Sequence, residues 1–363
     1  EPRGQVAMTV RFETVRAILQ HGYDTVIDVR SPSEFAEDHV PGAINLPVLD
    51  DAQRAEVGTI YKQKSPFLAR KIGAALVFRN AAHHIETTLK DHAGGWRPLV
   101  YCWRGGQRSG AFTWMLREIG WRADQLDGGY KAYRRLVLDA LYERPLPHHL
   151  IQLGGHTGTA KTEILALLER RGVQVLDLEG LARHRGSLLG AVGDGQQPDQ
   201  KAFETAIAQA FDRLDPAQPV IVEAESNRIG RVSVPPVVWQ AMKSAPWITI
   251  DAPLSARAAY LARTYADILA QPEAMKAKLA PLRRFRGAET VRRWHALIDA
   301  GDRIGVCAAL AAEHYDPAYN KAMRSQEPRI AVQLTAADLS PGSLASLADD
   351  IARALQDSTI RFG

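Results

Sequence analysis

Short hydrophobic runs alternate with amphipathic stretches along this chain. The run at 24–30 ends in charged residues, which is typical of a buried parallel strand that presents polar groups at its carboxyl end. Ser31, Pro32 and Glu34 then form the pattern of a helix N-terminus. The pattern further predicts helices over 52–92 with a turn around 64–66, a strand over 98–102 and a helix over 111–119. This alternation predicts an α/β fold.

Two prolines within 144–149 interrupt the series, and we predict a linker between two domains there. A second series follows, with a predicted strand at 150–153, a Gly/Thr loop at 154–160 and a helix at 161–171. Further elements are predicted as strands at 173–178, 219–224 and 247–251 and as an amphipathic helix near 343–356.

The composition agrees with two globular domains. The chain has 363 residues, 46% of them hydrophobic and 24% charged, which excludes disordered, collagen-like and coiled-coil classes. It has no apolar run of about 18 residues, and its first residues lack the layout of a signal peptide. We therefore expect a cytoplasmic protein without a membrane partner. The net charge of +4 permits a polyanionic partner without requiring one.

Two cysteines, far apart in the sequence, are too few for a disulfide framework or a cysteine-rich metal site, and no metal site is predicted. Cys102 begins a glycine-containing loop between a predicted strand and helix, where open α/β sheets place their sites. Converging N–H groups and nearby arginines predict an anion cradle that favours the thiolate. The candidate residues are the catalytic Cys102 and the anion loop of Trp103, Arg104, Gly105, Gly106, Gln107 and Arg108. Cys307 fits a buried structural cysteine.

A set of positions within 10–140 forms one recognisable pattern, namely Asp28–Arg30, Glu34, Phe35, 39–43, Leu46, Pro47, Cys102 and 126–130. With these positions the segment resembles a rhodanese domain, and in that family the loop cysteine carries sulfur or selenium. An ion-pair brace is favoured over a catalytic role for Asp28, Arg30 and Glu34. The spacing of Cys102 and Arg108 also fits cysteine phosphatases, although Tyr101 stands where these place a histidine.

A phosphate-binding loop is predicted directly after the strand at 150–153. Lys161 would neutralise a diphosphate, and Thr162 would hold Mg²⁺ or a phosphate oxygen. Ala160 replaces the last glycine of the motif, which is tolerated if the backbone φ is negative and weakens a claim of ATP hydrolysis. Glu223 and Glu225 end a predicted acidic strand. The candidate diphosphate-binding residues are Gly155, His156, Thr157, Gly158, Thr159, Ala160, Lys161 and Thr162.

Local arginine clusters in the second domain are candidate contacts for tRNA or pyrophosphate, although each one alone also fits a solvated helix face. These candidates are Arg183, Arg185, Arg228, Arg231, Arg284 and Arg286.

The cysteine loop and the phosphate loop occur together with the segments 61–66, 102–106, 177–187 and 223–230. With these features the chain resembles, over about 10–330, the bacterial tRNA 2-selenouridine synthase family. The resemblance implies a tRNA substrate with 2-thiouridine at the wobble position. In that family, geranyl diphosphate first alkylates the thiocarbonyl sulfur, and selenophosphate then supplies selenium. No tightly bound cofactor is expected, Mg²⁺ is possible, and the oligomeric state is left open.

We therefore predict a rhodanese-like α/β domain at 1–145, a P-loop NTPase-like α/β domain with a parallel sheet and a helical C-terminal part at 146–335, and a C-terminal helical extension at 336–363. In our sequence-based hypothesis Cys102 attacks the selenium of selenophosphate and forms a perselenide. The alternative function is a rhodanese-type sulfurtransferase fused to a nucleotide-dependent RNA-modifying domain. Candidates for the geranyl pocket, or equally for plain core, are Trp239, Met242, Trp247, Tyr260, Leu261 and Tyr265.

Overall fold

A computed structural model describes residues 9–184 and 197–356 and shows two compact units. The first takes its described residues from Glu1–Arg144 and Pro198–Asp212, and the second from Pro145–Gln197 and Arg213–Gly363. Neither unit contains a described helix that is both long and apolar enough to span a bilayer.

The first unit is built on one parallel sheet in the order β1-β5-β4-β2-β3. The central strands are fully buried or nearly so, as their uninterrupted apolar sequences predict. The strands are β1 (Thr9–Val10), β2 (Thr25–Asp28), β3 (Ile44–Asn45), β4 (Pro98–Tyr101) and β5 (Asp124–Leu126). The helices are α1 (Val15–Leu19), α2 (Pro32–Glu37), α3 (Asp51–Gln63), α4 (Pro66–Glu86), α5 (Gln107–Ile119) and α6 (Gly129–Leu138), followed by a π-helical turn at Asp139–Glu143.

The second unit has a parallel sheet in the order β12-β11-β6-β8-β7, so β6 lies at its centre. Its strands are β6 (Leu150–Gly154), β7 (Gln174–Leu176), β8 (Val220–Glu223), β11 (Trp247–Asp251) and β12 (Ile330–Thr335), and β9 (Arg228–Ile229) pairs antiparallel with β10 (Val232–Ser233). The helices of this unit are α7 (Lys161–Glu169), α8 (Leu178–Leu181), α10 (Pro236–Ser244), α11 (Leu254–Thr264), α12 (Ala266–Leu269), α13 (Pro272–Leu279), α14 (Arg283–Arg286), α15 (Ala288–Asp299), α16 (Arg303–Leu310), α17 (Asp316–Gln326) and α18 (Pro341–Gln356). Helix α9 (Gln200–Arg213) lies between α8 and β8 in sequence, but all of it except Arg213 belongs to the first unit. Shorter helical turns lie at Ala280–Leu282 and Ala311–Tyr315.

The prediction of two α/β parts is confirmed, but the helix near the C-terminus lies in the second unit. Leu344, Leu347 and Ile351 of α18 are buried in the same apolar cluster as Ile164 and Leu165 of α7. The amphipathic pattern of 343–356 therefore reflects packing beside the sheet, which the sequence alone did not indicate.

Most of helix α9 belongs to the first unit, although it follows the phosphate loop in sequence. Thr205 donates a hydrogen bond to Asp38 at 3.0 Å, and Glu204 pairs with Arg134. Both carboxylates are almost fully buried, so these partners satisfy groups that burial without a partner would make costly. The segment 198–212 is thus part of the first unit although it is distant in sequence from the rest of that unit.

We expect removal of the carboxylate of Asp28 to destabilise the first unit strongly. Asp28 and Arg30 are both fully buried and paired at 2.6 Å. The Asp28→Ala substitution leaves a buried, unpaired guanidinium and should lower the free energy of unfolding by roughly 3–5 kcal/mol in urea titrations. The control is Glu13→Ala, which breaks the exposed pair with Arg11 and should cost less than about 1 kcal/mol. Equal effects of the two substitutions would contradict the argument.

Candidate functional site

Cys102 lies at the carboxyl end of β4, the strand at the centre of the first sheet, and is 3% exposed. The hydroxyl of Ser109, on the first turn of α5, donates a hydrogen bond to its Sγ at 3.1 Å. The Gln125 amide donates in turn to the Ser109 hydroxyl at 3.0 Å. Because that hydroxyl accepts from Gln125, its own proton is left to donate, and the sulfur is the nearer acceptor, with the Gly106 carbonyl at 3.3 Å. Ser109 and Gln125 are therefore site residues that sequence reasoning missed.

The N-terminus of helix α6 holds the cysteine loop by backbone hydrogen bonds. Its N–H groups at Tyr130 and Lys131 donate to the carbonyls of Cys102 and Trp103 at 2.8 and 3.0 Å. Gly129 has φ +58, and a Cβ there would collide with the Cys102 carbonyl. A glycine is thus required at this position, which lies in the segment 126–130 already singled out from the sequence.

The pKa of Cys102 is lowered from its ordinary value. Burial acts to raise it, but the hydrogen bonds from Ser109, the charge of Arg108 and the N–H of Gly106 outweigh burial. For Cys307, burial alone raises the pKa to about 11. The two thiols therefore differ as expected, since only Cys102 has an environment that favours the nucleophilic thiolate.

The two loop arginines have different positions. Arg108 pairs with Glu34 at 3.1 Å and is the arginine whose charge acts on Cys102. Arg104 is exposed and lines a separate cavity of about 1000 Å³ together with Lys131 and Arg135 of α6. The expectation that both arginines act on the thiol thus holds for Arg108 alone. Arg108 donates to Glu34, so a bidentate phosphate grip by Arg108 would have to compete with this ion pair.

A buried cation lies beneath the loop. Arg30 is fully buried, donates to Asp28 and to the carbonyl of Asp38, and its guanidinium lies 4.0 Å from the centre of the Tyr130 ring. Cys102 is not among its hydrogen-bond partners in the described residues. Arg30 is therefore a structural group of the site, as the brace interpretation expects.

In the second unit the loop 155–160 connects β6 to α7, the place required for a phosphate-binding loop. Lys161 Nζ donates to the Gly155 carbonyl at 3.1 Å. Ala160 has φ +61 and ψ +29 and is 3% exposed. The φ angle of Ala160 is therefore positive, and the condition of a negative φ is not met. The backbone keeps the left-handed conformation normally assigned to glycine, and Ala160 carries the strain of that conformation.

Arg257 supports the tip of this loop and was not found from the sequence. It is 6% exposed, pairs with both oxygens of Asp316 at 2.9 and 2.8 Å, and donates to the Thr157 carbonyl at 3.1 Å. His156 bonds to Asn320 at 3.1 Å. Helices α11 and α17 thus hold the loop through contacts about 60 to about 160 residues apart in sequence, which no local pattern indicates.

The loop opens into a cavity of about 630 Å³ with two chemically different ends. Lys161, Thr162 and the loop backbone form the phosphate end, and Tyr260, Leu261 and Tyr265 form an apolar wall. These three were among the candidates for a geranyl pocket. The other candidates, Trp239, Met242 and Trp247, are not among the lining residues, and Met242 and Trp247 belong to the core.

Carboxylates lie beside Lys161. Glu223 is 1% exposed and accepts a hydrogen bond from Thr162 at 2.8 Å, while its other oxygen is buried without a partner. Burial, with the charges of Asp177 and Glu225, raises the pKa of Glu223 to about 8. Burial and the charge of Glu223 also raise the pKa of Glu179. The carboxylates therefore outnumber Lys161, whose charge opposes both shifts, and a further cation would stabilise their ionised forms.

A diphosphate-bound Mg²⁺ fits this arrangement. Among the described residues, no group of three or more His, Cys, Asp or Glu side chains is placed to hold a metal by itself. The hydroxyl of Thr162 and the orphaned oxygen of Glu223 are suitable oxygen ligands, and Mg²⁺ commonly takes its remaining ligands from phosphates and water. When bound, the ion would neutralise charge on the diphosphate.

The candidate arginines do not share one location. Arg183 lines the cavity of the phosphate loop, whereas Arg228 and Arg231 lie on the β9–β10 hairpin and Arg284 and Arg286 on α14. Arg286 donates to the His314 carbonyl at 2.8 Å and is held by the protein itself. Arg185 lies outside the described residues.

Comparisons with known proteins match a described family to a segment of each unit. Residues 12–136 match the family model described as a rhodanese-like domain, and residues 148–289 match that described as the tRNA 2-selenouridine synthase AAA domain. The fold and site thus define a rhodanese-like unit joined to a P-loop-type α/β unit.

Curated relatives named tRNA 2-selenouridine synthase extend the match. A protein from Ectopseudomonas mendocina is 32% identical over 84% of this chain and 88% of its own length. Proteins from Bdellovibrio bacteriovorus and Hahella chejuensis are 38% and 36% identical over 64% and 66% of this chain, and the matches span about three fifths of their own lengths, 62% and 63%. The chain belongs to the tRNA 2-selenouridine synthase family.

We predict that Ser109→Ala raises the pKa of Cys102, because the thiolate loses a hydrogen-bond donor. Alkylation by iodoacetamide, followed against pH in a Cys307→Ser background, should become slower at neutral pH, and its midpoint should move to higher pH. The control is Ser343→Ala, which changes a serine of the second unit remote in sequence from the thiol. A midpoint that does not move in Ser109→Ala would show that the hydroxyl does not stabilise the thiolate.

We predict a pH-dependent stability that depends on Glu223. Its folded pKa lies above the ordinary carboxyl value, so the unfolded state ionises first and the free energy of unfolding falls as the pH rises from about 5 toward 8. Glu223→Gln should reduce this slope in urea titrations, while the exposed control Glu289→Gln should retain it. Adding Mg²⁺ with pyrophosphate to the unmodified protein should also reduce the slope. An unchanged slope in Glu223→Gln would refute the assignment.

Proposed function

We propose that this protein geranylates wobble 2-thiouridine of tRNA with geranyl diphosphate and then exchanges the geranylthio group for selenium from selenophosphate. The observation that carries the proposal is the cavity of the second unit, which joins a phosphate-binding loop to an apolar wall. A prenyl diphosphate has these two parts. The relatives' name supports a tRNA substrate and a selenouridine product.

In the first half-reaction the loop 155–160 binds the diphosphate while Tyr260, Leu261 and Tyr265 contact the geranyl chain. The sulfur of 2-thiouridine attacks C1 of geranyl diphosphate, and pyrophosphate leaves with the electron pair of the C–O bond. Lys161 and the loop N–H groups stabilise the charge on this leaving group. No phosphoanhydride is hydrolysed, so the altered loop at Ala160 is compatible with the reaction.

In the second half-reaction the C2–S bond of the alkylated uridine breaks. Attack of the Cys102 thiolate on selenium would balance only if phosphorus left with the electron pair as phosphite. We therefore propose attack at C2 instead of a perselenide. Cys102 displaces geranylthiolate from C2, selenium of selenophosphate displaces Cys102, and water cleaves the Se–P bond to release phosphate. All three steps keep phosphorus at its original oxidation state.

The test is mass spectrometry of nucleosides from 2-thiouridine tRNA incubated with the protein and geranyl diphosphate, with and without selenophosphate. We expect geranylated nucleoside without selenophosphate and selenouridine with it. ATP in place of geranyl diphosphate serves as the control for a nucleotide-dependent modification. Unchanged thiouridine in both reactions, with intact RNA and ligands, would refute the proposed function.

Two variants separate the half-reactions. Cys102→Ser should geranylate tRNA at the normal rate but form no selenouridine, since the thiolate acts only in the exchange. Lys161→Ala should lower kcat/KM of geranylation about tenfold or more, because a charge-assisted contact is lost, and should still convert tRNA that was geranylated beforehand. Loss of both reactions in Cys102→Ser, or normal geranylation in Lys161→Ala, would contradict this division.

A further inference from the structure

A second cavity lies in the first unit, beside the cysteine loop. It has a volume of about 580 Å³ and is formed by α3, α4 and the first turns of α5. Gln107 and Arg108, which line it, follow directly on the loop that begins at Cys102. Its volume lies within the range of about 300–1,000 Å³ typical of small-molecule sites.

Part of the cavity lining is apolar, and Cys102 lies in the adjoining core and not in the lining. Leu49 and Val77 line the cavity and belong to the same buried cluster as Cys102. Gly73 of α4 contributes no side chain, and a Cβ there would lie 3.3 Å from Val57 on α3. Helices α3 and α4 therefore pack closely at Gly73, where no side chain projects into the cavity.

The mouth of the cavity carries exposed aromatic side chains. Tyr61 and Phe78 line it and are 56% and 42% exposed, and Trp114, 53% exposed, contacts the Phe78 ring edge-to-face at 6.4 Å between centroids. Large aromatic side chains that cluster in water around an apolar cavity commonly mark a binding site. The three residues come from α3, α4 and α5, and burial of their exposed surface requires an apolar occupant.

Positive charge surrounds the same mouth. Arg54, Arg70 and Arg108 line the cavity, and Glu34 lies 3.9 and 3.1 Å from Arg54 and Arg108. Three guanidinium groups face one carboxylate, so the rim favours an anionic occupant. A ligand that fits both features has an apolar part and an anionic group close to it.

We propose that this cavity, which we call the α3–α4 cavity, binds the geranyl chain of S-geranylated uridine. In this arrangement C2 of the uridine lies at Cys102, and the rim arginines contact phosphates of the tRNA backbone. The inference rests on the proposed function and assigns a second prenyl-binding site, distinct from the one beside the phosphate loop. The site holds the substrate during the exchange, and geranylthiol leaves from it. The α3–α4 cavity thus selects the alkylated tRNA over unmodified thiouridine.

The test fills the cavity from one side. Ala74 lines it and Ala75 does not, although both are exposed on α4. With tRNA that was geranylated beforehand and selenophosphate, Ala74→Phe should lower kcat/KM for selenouridine about tenfold or more, and Ala75→Phe should leave it unchanged. With S-methylated 2-thiouridine tRNA the two variants should be equal. Both should geranylate tRNA normally.

A second variant and a binding measurement distinguish loss of the binding site from misfolding of Ala74→Phe. Phe78→Ala removes part of the mouth and should raise KM for geranylated tRNA without changing the circular dichroism spectrum. Calorimetric titration of the full-length protein with geranylthiol should show weaker binding in Ala74→Phe than in Ala75→Phe.

The outcomes separate the two proposals. If the unmodified protein forms selenouridine but Ala74→Phe, Phe78→Ala and Ala75→Phe all behave like it, the cavity assignment is overturned and the proposed function stands. If Ala74→Phe changes only the oligomeric state in sedimentation, the face is an interface between copies of the chain and the assignment is again overturned. If the unmodified protein converts neither alkylated tRNA, the proposed function itself fails.

Discussion

The buried guanidinium of Arg30 is the constraint on which the first unit depends. A charge in the interior is costly unless neighbouring groups neutralise and hydrogen-bond it. Here Asp28 pairs with it, the Asp38 carbonyl accepts from it and the ring of Tyr130 lies against it, while its Nη1 is buried without a hydrogen-bond partner. These partners come from β2, the end of α2 and the start of α6. The same α6 N-terminus binds the carbonyls of the cysteine loop. Because Tyr130 contacts Arg30 and also donates to the Cys102 carbonyl, the packing around Arg30 helps to position Cys102.

The hydrogen-bond network around Arg30 extends to the segment 198–212, which follows the phosphate loop in sequence but belongs to the first unit. Asp38 accepts hydrogen bonds from Tyr130 at 2.8 Å and from Thr205 of α9 at 3.0 Å. Its pKa is raised by burial, against the opposing effect of these bonds. Helix α9 thus completes the polar interior of a unit to which it does not belong in sequence order.

Both units use the carboxyl end of a central parallel strand for an anion site, because backbone N–H groups converge there with a helix N-terminus. They differ in the group that the loop presents. In the first unit it is a thiolate favoured by Ser109 and Arg108, and in the second it is Lys161 beside buried carboxylates. In each unit a cavity with an apolar wall adjoins the candidate anion site. The proposed function would use these walls in its two half-reactions.

The amino-acid sequence alone determined the α/β architecture, the two loops and the thiol of interest, because strand periodicity, glycine placement and the Lys-Thr pair are local patterns. Tertiary structure decided what those patterns do not encode. Gln125, on another strand, donates to the Ser109 hydroxyl beside Cys102, and Arg257, which pairs with Asp316, donates to the Thr157 carbonyl. The left-handed backbone of Ala160 is likewise imposed by the loop around it, against the preference of the residue itself. Such contacts join residues distant in sequence, so their partners exist only once the chain has folded.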